Sequence, residues 1–168
     1  VYAAWDAKAK GNAAEADWSS RFAAYRAAFP ELAAEFERRM AGKLPADWTT
    51  LMQSYLEETR AKAENIATRK ASQNAIAAYA PALHELFGGS ADLAGSNLTI
   101  VKTSKGVSKE SGGNYLYYGV REFGMTAIAN GIALHGGLLP YTATFLVFSD
   151  YARHAIRLSL IHLSDPTR

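Results

Sequence analysis

Cysteine is absent from the 168 residues, which excludes a disulfide framework and any thiolate metal site. The absence is compatible with a reducing compartment. A block of charge of one sign is missing as well. The 18 Lys and Arg residues are offset by 16 Asp and Glu, so there is no basic stripe of the kind that binds nucleic acid. The longest apolar stretch, Gly137 to Phe148, is broken by Pro140, Tyr141, Thr142 and Thr144. It falls short of the roughly 20 residues that cross a bilayer. His84, His135, His154 and His162 form no i, i+4 pair, so no metal site is expected within the chain. No Gly-x-Ser-x-Gly elbow and no Walker lysine spacing is found, which removes the usual signals of a hydrolase nucleophile and a nucleotide loop. The first residues, Val1 to Asp6, carry neither an initiator Met nor the basic and apolar regions of a signal peptide. The expectation is a chain that starts inside a longer protein.

What is present begins with helices. The sequence is 49% hydrophobic, enough for one ordinary core. Trp18, Phe22, Tyr25 and Phe29 recur at the spacing of one helix face. Pro30 interrupts that pattern, and Leu32, Phe36 and Met40 resume it as far as Gly42, a residue suited to the left-handed turn that ends helices. Pro45 and Asp47 open a further helix, striped by Trp48, Leu51, Met52, Tyr55 and Leu56. Thr68 stands where a cap belongs, before a helix through Ala71, Ala75, Ile76 and Tyr79. These stripes are read as core, because burial of such a face is what stabilises a surface helix.

Composition changes at Leu86-Phe87-Gly88-Gly89, where glycine, serine and β-branched residues replace alanine. A strand is predicted over Asn114 to Tyr118, a helix rich in small residues over Phe123 to His135, a buried strand over Leu138 to Phe145, and a helix from Ser149 onward. Strands alternating with helices indicate an α/β domain. Two or three strands are too few for a complete sheet covered on both faces, so a partial domain is expected.

Two segments attract attention as sites. Gly88 to Asn97 is a small-residue loop with three glycines, a carboxylate and two hydroxyls. It suits either an ordinary turn or close approach to a ligand. In Tyr117-Tyr118-Gly119-Val120-Arg121-Glu122-Phe123-Gly124-Met125, one glutamate stands between a predicted strand and a small-residue helix. Desolvation there would suit Glu122 to sharing a proton with a ring nitrogen near neutral pH. Interaction with the helix N-terminus, or pairing with Arg121, is the plainer alternative.

At these same segments the sequence resembles the transketolase family. The likeness runs through Gly88-Gly89-Ser90-Ala91-Asp92-Leu93, Ser96-Asn97-Leu98-Thr99 and Tyr118 to Met125, then Ala127 to Ile132 and Pro140 to Phe145. Upstream it includes Arg69 to Asn74, Tyr2 to Lys8 and Arg38-Arg39-Met40, and it ends at about residue 159. The resemblance implies an α/β fold: a helical end of a preceding domain and linker over residues 1–65, then the N-terminal part of a pyrimidine-type, thiamine-binding domain over 66–159. Residues 160–168 depart from the family, and a truncated or shifted reading frame is the expectation for that tail.

By the same resemblance, the complete enzyme moves a two-carbon ketol unit from a ketose phosphate to an aldose phosphate in the pentose phosphate pathway. It uses thiamine diphosphate and Mg2+ or another divalent cation, in a site formed between two subunits of a cytoplasmic homodimer. Glu122 is implied as the catalytic carboxylate on the aminopyrimidine ring, and Asp92, Phe145, Phe148 and Tyr151 as cofactor contacts, with Phe148 stacking on the ring. Arg69 and Ser96 are implied as holding the substrate phosphate, and the diphosphate and metal ligands are expected outside this segment. No nucleic-acid or membrane partner is expected, and this segment alone is expected to be inactive. A fragment of dihydroxyacetone synthase and a non-catalytic helical interaction module are the competing readings.

Overall fold

The computed structural model describes residues 1–163. Five helices come first: α1 (Tyr2–Trp5), α2 (Lys8–Ala28), α3 (Pro30–Met40), α4 (Trp48–Lys62) and α5 (Thr68–Tyr79). Pro30 separates α2 from α3 rather than kinking one helix. It occupies the first turn of α3, where its missing N–H has no partner to lose. Gly42 closes α3 with φ of 66°. Thr68 does not cap α5: it is the first helical residue, Ala67 holds the cap position, and no side chain bonds the free N–H groups there.

Phe22 stacks on Trp18 at 5.0 Å and meets Phe36 at 5.5 Å, joining α2 to α3. The reading of these stripes as core is corrected by the structure. No residue of α2 is buried, and Trp18, Phe29 and Leu32 remain about half exposed. Two helices bury only their line of contact, and Met40, at the end of the stripe, lies against Gly136 and Gly137. Trp48 and Tyr55 instead pack edge-on against Tyr79, which pairs α4 with α5.

Three strands follow: β1 (Leu86–Ser90), β2 (Tyr115–Tyr117) and β3 (Leu139–Ala143), parallel and ordered β2-β1-β3. Gly88 and Gly89 belong to β1 rather than to the loop after it. A Cβ on Gly88 would overlap the Tyr141 ring, and one on Gly89 would overlap Tyr118, so these glycines let the rings lie across the strand. β3 is shorter than the predicted strand and is an outer strand of the three among the described residues, with Leu139 43% exposed. Helix α6 (Glu122–His135) connects β2 to β3, and a 3-10 segment, Leu146–Ala152, leads into α7 (Arg153–Leu163). The predicted helix from Ser149 therefore starts earlier, as a tighter coil. Ala127 and Gly131 on α6 are exposed, while Asn130 Nδ2 ties α6 to Ala155 O at 2.9 Å. The unusual tail read at 160–168 reaches beyond the described residues.

The helical segment is clamped to the sheet by charge. Arg38 donates to both carboxylate oxygens of Glu85 at 2.8 and 3.0 Å, and to both of Glu35 at 2.8 Å each. Arg39 adds a bond to Glu35 at 2.7 Å. The hydrogen bond from Arg38, with that from Arg39, holds the Glu35 carboxyl at about 2, below its ordinary 4.5. Burial alone would raise Glu85, but bonding to Arg38 outweighs it and leaves this carboxyl low as well. A depressed carboxyl stabilises the fold above its ordinary value, and the contribution is lost as pH falls towards the folded value. Thermal midpoints should therefore decline between about pH 4.5 and 2 less steeply in Glu35→Gln than in the parent. Parallel declines would remove Glu35 from the clamp.

Candidate active site

In open parallel sheets, ligands bind beyond the carboxyl ends of the strands. Here β1 runs into the loop carrying Asp92 and Ser96, β2 into the turn before Glu122, and β3 into Phe145 and the 3-10 segment. Between them lies a cleft of about 480 Å³, lined by Asp92, Leu93, Val120, Glu122, Phe148 and Tyr151 together with Ala91.

Glu122 is the first residue of α6 and only 8% exposed. It reaches this position through a tight turn. Gly119 has φ of 66°, a conformation glycine adopts without penalty. Arg121 folds back so that its Nη1 donates to Tyr118 O at 2.8 Å. The pairing of Arg121 with Glu122 is thus not formed, since the guanidinium is engaged with the turn. Among the described residues the Glu122 carboxylate accepts no hydrogen bond and joins no ion pair. Its place at the start of α6 lets the helix dipole favour its charge, so the helix-end reading and a ligand role coexist. A buried carboxylate facing an apolar cleft without a protein partner is suited to a ligand donor.

Phe148 and Tyr151 form the aromatic wall. Phe148 stacks between its neighbours, 6.1 Å from Phe145 at 26° and 6.1 Å from Tyr151 at 28°. Phe145 supports Phe148 without lining the cleft. Asp92 is exposed and held at φ of 60°. Arg69, in the first turn of α5, donates from Nη1 to Ser96 O at 3.2 Å. The structure brings this exposed pair together, and neither residue lines the Glu122 cleft. Among the described residues, no group of three or more His, Asp or Glu side chains converges as a metal site.

The sequence reading passed over Leu93 and Val120, which complete the cleft. It also passed over Ser90, Asn97, Thr99 and Tyr115, whose side chains bond to one another beneath the loop. The run Ser96-Asn97-Leu98-Thr99 was the available signal, but its long-range partners lie outside any local pattern.

The model of the transketolase pyrimidine-binding domain matches residues 64–164, and that of the transketolase thiamine diphosphate-binding domain matches residues 1–45. The chain is 59% identical to transketolase 2 and 55% identical to transketolase 1 of Escherichia coli, each over 161 residues covering 96% of this chain. It spans 24% of the length of those relatives. Among solved structures, a transketolase from Leishmania mexicana superposes with a TM-score of 0.76 at 40% identity, covering 90% of this chain and 22% of that one. A Pichia stipitis transketolase in complex with sedoheptulose-7-phosphate superposes with a TM-score of 0.78 at 38% identity, covering 91% and 23%. With the family match over residues 64–164, the sequence identity and the superposed structures in agreement, the chain belongs to the transketolase family.

Proposed function

We propose that this chain contributes the pyrimidine side of a thiamine diphosphate site in a transketolase that transfers a two-carbon ketol unit between sugar phosphates. The observation that carries the reading is Glu122, a largely buried residue whose carboxylate opens on an apolar cleft beside Phe148 without a hydrogen-bond partner among the described residues. A flat aminopyrimidine fits such a place, because one face finds an aromatic ring and a ring nitrogen finds a carboxyl oxygen. Once bound, the cofactor supplies the carbanion chemistry of ketol transfer.

The residues of this chain bind and orient. Glu122 would hold the pyrimidine ring through a proton shared with a ring nitrogen. Phe148 would stack on the ring, with Phe145 and Tyr151 stacked on Phe148 to hold its plane. Asp92, also in the cleft lining, would contact the remainder of the cofactor. Arg69 and Ser96 take the substrate phosphate, a guanidinium fork and a hydroxyl being suited to its oxygens. Mg2+ or another divalent cation would be held by ligands elsewhere in the enzyme.

Val120, which lines the cleft, is 74% exposed, and Leu146 and Val147, just before Phe148, are 90% and 72% exposed. A homodimer whose second subunit completes the site is part of the same reading. So is a division at 65/66; the pyrimidine-domain match starts nearby, at residue 64, just after the left-handed Ala63 that ends α4. No helix among the described residues is long and apolar enough to cross a membrane. A cytoplasmic location belongs to the same reading.

The test is an assay of an enzyme of full family length carrying these residues. Transfer from a ketose phosphate to ribose 5-phosphate, dependent on thiamine diphosphate and a divalent cation, is expected. Strong preference for formaldehyde as acceptor would indicate a dihydroxyacetone synthase instead. Absence of cofactor-dependent transfer would favour a non-catalytic helical module.

A further inference from the structure

Under the loop that carries Asp92 and Ser96 lies a chain of buried polar side chains. Tyr115 is 1% exposed, Thr99 4% and Ser90 1%, so none of the three can reach a substrate. The Tyr115 hydroxyl lies 2.7 Å from Thr99 Oγ1. Thr99 Oγ1 donates to Asn97 Oδ1 at 3.3 Å, and Asn97 Nδ2 donates to Ser90 Oγ at 3.2 Å. Ser90 Oγ donates to Ala143 O at 3.1 Å and accepts from the backbone N–H of Leu93 at 3.2 Å.

Ser90 Oγ also lies 3.4 Å from Asn97 Oδ1, and either hydroxyl can donate across the Tyr115–Thr99 contact; the arrangement that uses the shorter contacts satisfies every member. Tyr115 donates to Thr99, Thr99 to Asn97, Asn97 to Ser90, and Ser90 to the end of β3. The Tyr115 phenol is protonated at neutral pH and can donate, and burial raises it further above its ordinary value. The chain then fixes which face of the Asn97 amide carries oxygen and which carries nitrogen. Asn97 is the pivot: its side chain ties the loop to β1 on one side and, through Thr99, to β2 on the other.

The loop requires such a fastening. Asp92 and Leu98 hold φ of 60° and 58°, values that persist for residues other than glycine only where surrounding contacts enforce them. Ser96 itself is exposed, and its side chain makes no hydrogen bond among the described residues, so its placement comes from its neighbours. Asn97 follows it directly. We infer that Asn97 is a positioning residue that sets Ser96 against Arg69 for phosphate recognition, its amide oriented by the buried hydroxyl of Thr99. This rests on the reading of Arg69 and Ser96 as phosphate ligands given above.

Thr99 supplies the test, because it is buried and its isostere Val removes only the hydroxyl. In the complete holoenzyme, kcat and KM would be measured for a phosphorylated ketose donor and for a donor without phosphate. Thr99→Val should raise KM for the phosphorylated donor roughly 3- to 10-fold, the factor expected when one hydrogen bond is lost. KM for the other donor should stay nearly constant, and Thr99→Ser should restore the parent value. Asn97→Ala should show the same selectivity with a larger effect; if that variant does not fold, the Thr99 pair still decides. Arg69→Ala is the control. A Thr99→Val enzyme with lowered thermal midpoint but parental KM, beside an Arg69→Ala enzyme with raised KM, overturns the inference alone. Parental KM in Arg69→Ala overturns the phosphate reading and this inference with it.

Discussion

Glu122→Gln, in an enzyme of full family length, is expected to lower ketol-transfer turnover about 10²- to 10⁴-fold, the usual effect of removing a positioned acid or base. The amide keeps the shape of the side chain at the first position of α6, where the residue is 8% exposed. It loses the carboxylate proposed to share a proton with the pyrimidine nitrogen. Cofactor binding should suffer less than turnover, since the aromatic wall of Phe148 and Tyr151 is unchanged. A residue acting only as a helix-end charge would behave differently. Its neutralisation would cost at most about 1 kcal/mol of stability and leave the rate almost untouched. Turnover and thermal midpoint, measured together, separate the two.

Arg38→Met should be the most destabilising of the surface-to-sheet changes, at about 3–5 kcal/mol, the cost of stranding a buried partner charge. Glu85 has a side chain only 4% exposed, and Arg38 is its ion-pair partner among the described residues. Removing the guanidinium leaves that carboxylate desolvated at the start of β1 and strips both bonds from Glu35. Combining Arg38→Met with Glu85→Gln should recover much of the loss, because no uncompensated charge remains. The exposed Arg21–Asp17 pair, with side chains 72% and 65% accessible, is a suitable contrast. Breaking it should cost less than about 1 kcal/mol. Urea unfolding of the four proteins measures all of these, and equal losses at Arg38 and Arg21 would refute the clamp.

How much of this was legible in sequence depends on the range of the interaction. The stripe Trp18-Phe22-Tyr25-Phe29 and the break at Pro30 were readable because helical period and proline geometry are local. Whether the stripe is covered was not, since burial depends on partners that period does not specify. Gly88 and Gly89 looked like a loop. Their reason for being glycine is the packing of Tyr118 and Tyr141 across β1, which only the fold brings together. The clamp between Arg38 and Glu85 spans 47 positions, and the Thr99–Tyr115 bond spans 16. Neither leaves a local mark. The candidate site divides in the same way. Glu122, Asp92 and Phe148 stand at strand-to-loop transitions, where ligand contacts concentrate in α/β sheets. The buried hydroxyls beneath them look like ordinary β-propensity residues until their partners are known.

Proton exchange reads directly whether the carboxylate of Glu122 acts on bound cofactor. In the complete enzyme, at matched cofactor occupancy and with no sugar present, the rate of deuterium exchange at the thiazolium C2 position would be compared between the parent and Glu122→Gln. Exchange slowed by roughly 10²-fold or more in the variant is the predicted result, in line with loss of a positioned acid–base group. Equal exchange rates in the two proteins would contradict the role assigned to Glu122 and, with it, the reading of this cleft as the pyrimidine site.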